Sequence, residues 1–320
     1  METAPVLRFA MLGMVPGNGH PYSWSAIING YDPAAMAACP YAAIPAYLGA
    51  QPLESVRVPG ARVTAIWTDD PKDAPHVARA SLIDRVVARP EDVIGEVDAV
   101  FVASGDGFDH VARARPFVEA RLPVFVDKPL AVTIGGLRTF IAWKKEGARI
   151  LSSSGMRYAP ALDPLLADRS RLGQLRWISG LMCKDWENYG IHALEPVFRL
   201  LGPGFTSVRL ESQPGFEVAH LLHRSGVQVN LPVISDGMAT FGTLHLAGTG
   251  GQVTVQLSDT YTAFRRQLVS FIDYVRAGGD DPYPFAETVE MMAVIIAGIR
   301  SRDAGGARID VGGVLAEVGS

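Results

Sequence analysis

The chain has 320 residues, 48% of them hydrophobic and 19% charged, with a net charge of −4 at pH 7. That length suits two domains of ordinary size, the composition excludes a disordered or fibrous chain, and charges of both signs are scattered, which leaves no basic stripe for nucleic acid. No run of about 18 unbroken apolar residues is present to span a membrane, and residues 1–15 lack the basic and long apolar regions of a signal peptide. Cys39 and Cys183 belong to no Cys-x-x-Cys pattern, and the pair His220 and His223 lacks further ligands at metal-binding spacing. The expectation is a cytoplasmic globular protein with reduced thiols and no metal, membrane or nucleic-acid partner.

In chain order, Leu7 to Val15 is an apolar run that reads as a first strand. A loop rich in proline and glycine from Pro16 to Pro21 follows it, and Ser23 to Gly30 opens a helix. Glycines directly after a first strand let a backbone approach a pyrophosphate at a helix amino terminus. Gly13, Gly17 and Gly19 stand there, in an expanded spacing that departs from G-x-G-x-x-G and is equally compatible with a plain glycine turn. Ala61 to Trp67 is the second strand. Thr68 and Asp69 close it, where an acidic residue would hold ribose hydroxyls, and no neighbouring lysine or arginine in the sequence offers itself to a ribose phosphate, which favours NAD over NADP. Asp98 to Ala103 and Pro123 to Val126 are further buried strands, with His110 to Ala120 helical between them and Ala148 to Ser153 last. Such alternation predicts a doubly wound parallel sheet.

Lys128 sits at the carboxyl end of the Pro123 to Val126 strand, the end where ligands bind in open α/β sheets. A lysine or histidine there can take the hydroxyl proton released when a hydride leaves an alcohol carbon, although Asp127-Lys128-Pro129 alone is also an ordinary turn composition. Gly155 to Pro160 reads as a hinge. Beyond it the period changes to that of half-exposed antiparallel strands, over Ala239 to Leu246 and Gln252 to Leu257. Apolar stripes through Phe264, Leu268, Phe271, Ile272 and Val275, and through Phe285, Val289, Met292, Ile296 and Ile299, mark two amphipathic helices near the end.

The glycine loop, Asp127-Lys128-Pro129, Gly155-Met156-Arg157-Tyr158 and Gly190-Ile191-His192-Ala193-Leu194-Glu195, in this order, resemble the glucose-fructose oxidoreductase and inositol dehydrogenase (Gfo/Idh/MocA) family over most of the chain. The resemblance implies a Rossmann domain over residues 1–154 and a substrate and oligomerisation domain over 155–320. The second is built on an open, mostly antiparallel sheet through which homodimers or homotetramers form. It implies an NAD(P)-dependent oxidoreductase acting on a hydroxyl of a sugar, sugar acid or cyclitol, with Lys128 and His192 handling the proton and the loop at Ser104 lining the nicotinamide side. Two readings compete: an NAD-retaining hydrolase or epimerase of the same fold, and a non-catalytic sensor of NAD or sugar. Asn188 stands where the family often has aspartate, and this amide can orient a hydroxyl but not take its proton. Arg157, Tyr158, Asp185 and Glu195 complete the expected substrate contacts, Lys184 lies close by, and the His20 to Trp24 segment is either packing or a ligand-shaping loop.

Overall fold

The computed structural model describes residues 5–237 and 242–319. Six strands, β1 (Leu7–Leu12), β2 (Ala61–Trp67), β3 (Arg85–Val86), β4 (Ala99–Val102), β5 (Val124–Val126) and β6 (Ile150–Leu151), form a parallel sheet in the order β3-β2-β1-β4-β5-β6. Parallel strands buried on both faces need uninterrupted apolar sequence; β4 and β5, AVFV and VFV, are buried at every position. The order reverses between β1 and β4, the place where this topology leaves a crevice at the carboxyl edge.

The first helix runs His20–Asn29 and starts three residues before the expected Ser23. Pro21 fits a first helical turn, where its missing N–H costs nothing, and the Asn18 side chain accepts the His20 backbone N–H at 2.9 Å. The last strand is shorter than the expected Ala148 to Ser153, and Gly155–Tyr158 is a 3₁₀ turn.

The chain forms two compact units. One holds residues up to Asp127, Ala142–Ser152 and Phe264–Pro282; the other holds Lys128–Ile141, Ser153–Ala263 and Tyr283–Ser320. The backbone therefore passes between units several times, where a single division after residue 154 was expected. The helix Thr260–Ala277 shows why. Phe271 on this helix packs at 6.1, 5.1 and 5.4 Å, centroid to centroid, against Phe9, Phe101 and Phe125 of the parallel sheet. Its apolar stripe is core, as its periodicity says, but of the first unit.

The second unit carries β7 (Leu175–Gly180), β8 (Met182–Cys183), β9 (Phe205–Gln213), β10 (Phe216–His223), β11 (Gln228–Ile234), β12 (Thr243–Gly248), β13 (Gln252–Gln256) and β14 (Ile309–Asp310). They form an open sheet ordered β13-β12-β7-β11-β10-β9-β14, with β8 beside β11. Pairing is antiparallel except where β11 meets β7 and β8. Every second residue of β11 is buried, the signature of one covered face; the helices Trp186–Leu201 and Phe285–Asp303 pack on this sheet. Of the expected Ala239 to Leu246 strand, residues 239–241 lie outside the described residues. A further helix, Val311–Gly319, follows the two expected from the pattern.

Candidate active site

The loops at the carboxyl ends of β1, β2 and β4 share one polar network. Gly13 adopts φ +99°, a left-handed conformation suited to glycine, and an added Cβ would stand 3.3 Å from Arg113 Nη1 and 3.5 Å from the Ser104 nitrogen. Asp69 Oδ2 accepts the Met14 backbone N–H at 2.9 Å, and Arg113 binds both Asp69 oxygens at 2.7 and 3.2 Å while also reaching Asp109. An arginine thus does adjoin Asp69, supplied by a helix 44 residues away in sequence, which removes the ground on which NAD was favoured over NADP. Gly17, at φ +82°, lies in the exposed turn. Gly19 has a packing role instead, since a Cβ there would fall 2.6 Å from Ile44 Cδ1 and 2.8 Å from Tyr41 Cδ2.

Thr68 and Ser104, expected at the cofactor, make internal contacts. Thr68 is buried and its hydroxyl donates to the Asp70 carbonyl at 2.7 Å. Ser104 is wholly buried, its hydroxyl bound to Asp109 and its carbonyl to His110 Nε2 at 3.0 Å. Both side chains shape their loops and are turned away from solvent. The edge still fits a dinucleotide: a strand-order reversal, a backbone free of Cβ at Gly13, and one carboxylate with one guanidinium at the end of β2.

Sequence reasoning missed a buried pair beside the lysine. Asp127 is wholly buried, and its Oδ2 meets His20 Nδ1 at 2.7 Å and accepts from Asn18 Nδ2 at 2.8 Å. The His20 ring stacks on buried Trp24 at 4.2 Å and 12°. Of the His20 to Trp24 segment, Tyr22 and Trp24 are core, and His20 is the residue that faces the motif. The available signal was a histidine in the first loop together with an acid at the end of a buried strand.

In the second unit Lys128, 5% exposed, donates from Nζ to the Asn188 carbonyl at 3.2 Å and lies 4.6 Å from the Tyr189 ring centroid. The peptide bond that follows Lys128 is cis. Tyr189 and His192 stand 5.2 Å apart, ring to ring, and His192 Nδ1 meets Ser154 Oγ at 2.6 Å. The helix Trp186–Leu201 presents all three partners, because positions 188, 189 and 192 lie within about one turn. Asp185 is the cap of that helix, accepting the Asn188 N–H at 2.6 Å. This gives Asp185, expected at the substrate, a capping role. Trp186 anchors the helix through Nε1 to the Ile295 carbonyl at 3.0 Å. Sequence thus pointed to Lys128 and His192, which the structure brings together around Tyr189 and Ser154, two residues it had not singled out.

Arg157 and Glu195, expected at the substrate, are engaged with internal partners. They are 4% and 1% exposed and pair with each other at 3.0 Å, while Glu195 Oε1 accepts the Ser154 N–H at 2.9 Å. Arg157 also binds Glu287 at 2.5 Å and lies 3.6 Å from the Tyr283 ring centroid. Burial opposes the arginine's charge, yet Glu195, Tyr283 and Glu287 hold its pKa above the ordinary guanidinium value. Burial pushes the Glu195 carboxyl up despite Arg157. Two acids on one permanent cation leave no buried charge unpaired, and the cluster braces the backbone at Ser154 that carries the His192 partner. Tyr158, next in the turn, is half-buried.

His220 and His223 make separate contacts, with Asn230 and Ser225 respectively; three residues apart on a strand, they point to opposite faces. Among the described residues no group of three or more His, Cys, Asp or Glu is placed to hold a metal ion, and no helix is long and apolar enough to cross a membrane. Cys39 and Cys183 are buried free thiols.

Residues 42–154 match the model of the Gfo/Idh/MocA family, described as an oxidoreductase family with an NAD-binding Rossmann fold. Inositol 2-dehydrogenase 1 of Saccharopolyspora erythraea is 41% identical over 118 residues, a match covering 36% of this chain and 34% of that protein. Apo scyllo-inositol dehydrogenase of Lactobacillus casei superposes with a TM-score of 0.75 at 11% identity, over 96% of this chain and 99% of that one. An oxidoreductase of Agrobacterium radiobacter in complex with NAD+, L-tartaric acid and magnesium superposes with a TM-score of 0.72 at 15% identity, over 96% and 99%. The order of the parallel sheet agrees with the Rossmann fold of the matched family, the chain spans about a third of the length of the curated relative it matches, and residues 42–154 are similar to the Gfo/Idh/MocA family.

Proposed function

We propose that the chain is an NAD(P)-dependent oxidoreductase that exchanges a hydride between nicotinamide and a hydroxyl-bearing carbon of a sugar, sugar acid or cyclitol. The observation that carries this reading is the buried Lys128 ammonium, held by the Asn188 carbonyl beside Tyr189 and His192. The inositol dehydrogenase names of the relatives support a polyhydroxylated substrate. The nicotinamide, when bound, accepts or returns the hydride.

The residues do the rest. As the neutral amine Lys128 takes the hydroxyl proton when the hydride departs, and as the ammonium it returns that proton to the carbonyl oxygen in the reverse direction. Ser154 orients His192 through Nδ1, so Nε2 is the nitrogen that exchanges the proton. Asn188 gives Lys128 its direction through the main chain and offers its amide to a neighbouring hydroxyl. Gly13, Gly17 and Asp69 would hold the dinucleotide, with NAD and NADP to be distinguished by assay.

The test is the appearance of reduced nicotinamide with purified protein, either cofactor and a panel of sugars, sugar acids and cyclitols. Lys128→Ala should abolish turnover while cofactor affinity stays within about tenfold, and His192→Asn should cost roughly a hundredfold in kcat. A Lys128→Ala enzyme that keeps most of its rate rejects the mechanism.

A further inference from the structure

A lysine with no acidic partner stands beside the Lys128 cluster. Lys184 follows β8 with φ +77°, a left-handed backbone that residues other than glycine rarely adopt. Its backbone N–H donates to the Ile234 carbonyl at 2.8 Å, which fixes the turn. Its ammonium bonds the Tyr189 hydroxyl and lies 4.1 Å from the centroid of that ring. The Lys128 ammonium lies 4.6 Å from the same centroid. No carboxylate of the described residues forms an ion pair with Lys184, and its neighbour Asp185 is turned to the Asn188 N–H.

Two half-buried or buried ammonium groups over one phenol repel each other. The ring's π face offsets part of that, but it carries no negative charge to neutralise the Lys184 ammonium. Strained backbone kept at one residue points to a use for its side chain, and the use the Lys184 charge admits is an anion. We infer that Lys184, with the Tyr189 hydroxyl, receives a carboxylate carried by the substrate, so that the enzyme takes sugar acids in preference to neutral sugars and cyclitols. A carboxylate accepts both from the ammonium and from the phenol, and its charge makes these bonds about twice as strong as neutral ones. Tyr189 then links the acid end of the substrate to the hydroxyl end at Lys128 and His192. The inference rests on the oxidoreductase reading, because it assumes that the Lys128 cluster is where substrate binds.

The test uses calorimetric titration of the NAD-loaded protein with D-gluconate and D-glucuronate, and with D-glucitol and D-glucose as neutral counterparts, alongside the nicotinamide assay on the same compounds. At least one acid should bind ten times or more tighter than its neutral counterpart. Lys184→Gln, which keeps a polar side chain and removes the charge, should bring that ratio to about one, while Lys184→Arg should preserve most of it and show that the site tolerates substitution. The inference is overturned if neither acid has an advantage at millimolar concentration, or if the advantage survives Lys184→Gln. Acid preference without turnover of any compound sinks the oxidoreductase reading alone; turnover of neutral compounds without acid preference sinks this inference alone.

Discussion

Replacing Arg157 by methionine separates a structural cation from a substrate ligand. The guanidinium is 4% exposed and is shared by Glu195, 1% exposed, and Glu287, 19% exposed. Methionine fills much of the stem's volume and removes the charge, which leaves a fully buried carboxylate without its counterion. Breaking a buried pair in this way costs about 3–5 kcal/mol. The second unit holds about 160 residues, for which each kcal/mol moves the melting temperature about 2–4 °C, so Tm should fall by about 6–20 °C. The penalty should also depend on pH with a definite sign. Burial raises the Glu195 carboxyl above its ordinary pKa, so in the variant the unpaired charge is absent when that group is protonated. Stability relative to wild type should therefore be best at acid pH and decline as pH rises through the raised pKa. Adding Glu195→Gln to Arg157→Met should recover part of the loss, as expected of a coupled pair. Thermal melts across pH, read by circular dichroism, provide the assay. An Arg157→Met protein that melts within 2 °C of wild type, roughly the noise of one weak contact, and shows a large rise in KM would refute the argument and return Arg157 to the substrate.

Three further variants probe neighbouring claims. Arg302 joins Glu187 and Glu217, and its bond outweighs desolvation to hold the Glu187 carboxyl below its ordinary 4.5; this contribution is present at neutral pH and lost as pH falls through the depressed pKa. Glu187→Gln should thus lower stability by about 1 kcal/mol at pH 7 and match wild type in acid, as urea midpoints at both pH values will show. Arg113→Ala should free Asp69 and lower kcat/KM with NADP about tenfold relative to NAD, since a lone carboxylate repels a ribose phosphate; an unchanged ratio would confine Arg113 to bracing the loops. His20→Ala removes a partner at 2.7 Å from the wholly buried Asp127 and should destabilise the first unit by about 1–3 kcal/mol, with Asp127→Asn in the same chain restoring part of it.

Patterns that depend on neighbours along the chain were legible, and those that depend on distant partners were not. Ala61 to Trp67 is found with both its ends in place because its buried positions, Ala61, Val63, Ala65 and Ile66, are apolar and turn residues bound it. Lys128 could be placed because a strand's carboxyl end is fixed by its own sequence. His192 and Asn188 were placed by the family resemblance, and their spacing of four sets them one turn apart on the same helix. The same locality failed at Asp69, whose arginine arrives from position 113, and at Asp127, whose histidine lies 107 residues upstream. It failed again at the hinge, where Arg157 and Glu195 look like ligands until folding pairs them across 38 residues. Amphipathy shows that one face of Thr260–Ala277 is buried but says nothing of what buries it, and only the fold shows that Phe271 packs on the parallel sheet. Charged residues carry the heaviest uncertainty, because a buried charge must find a partner wherever the fold brings one, and only the fold decides whether that partner is internal. Lys184 is the informative exception: its ammonium bonds the Tyr189 hydroxyl and, among the described residues, forms an ion pair with no carboxylate, so the partner its charge calls for is left to come from outside the chain.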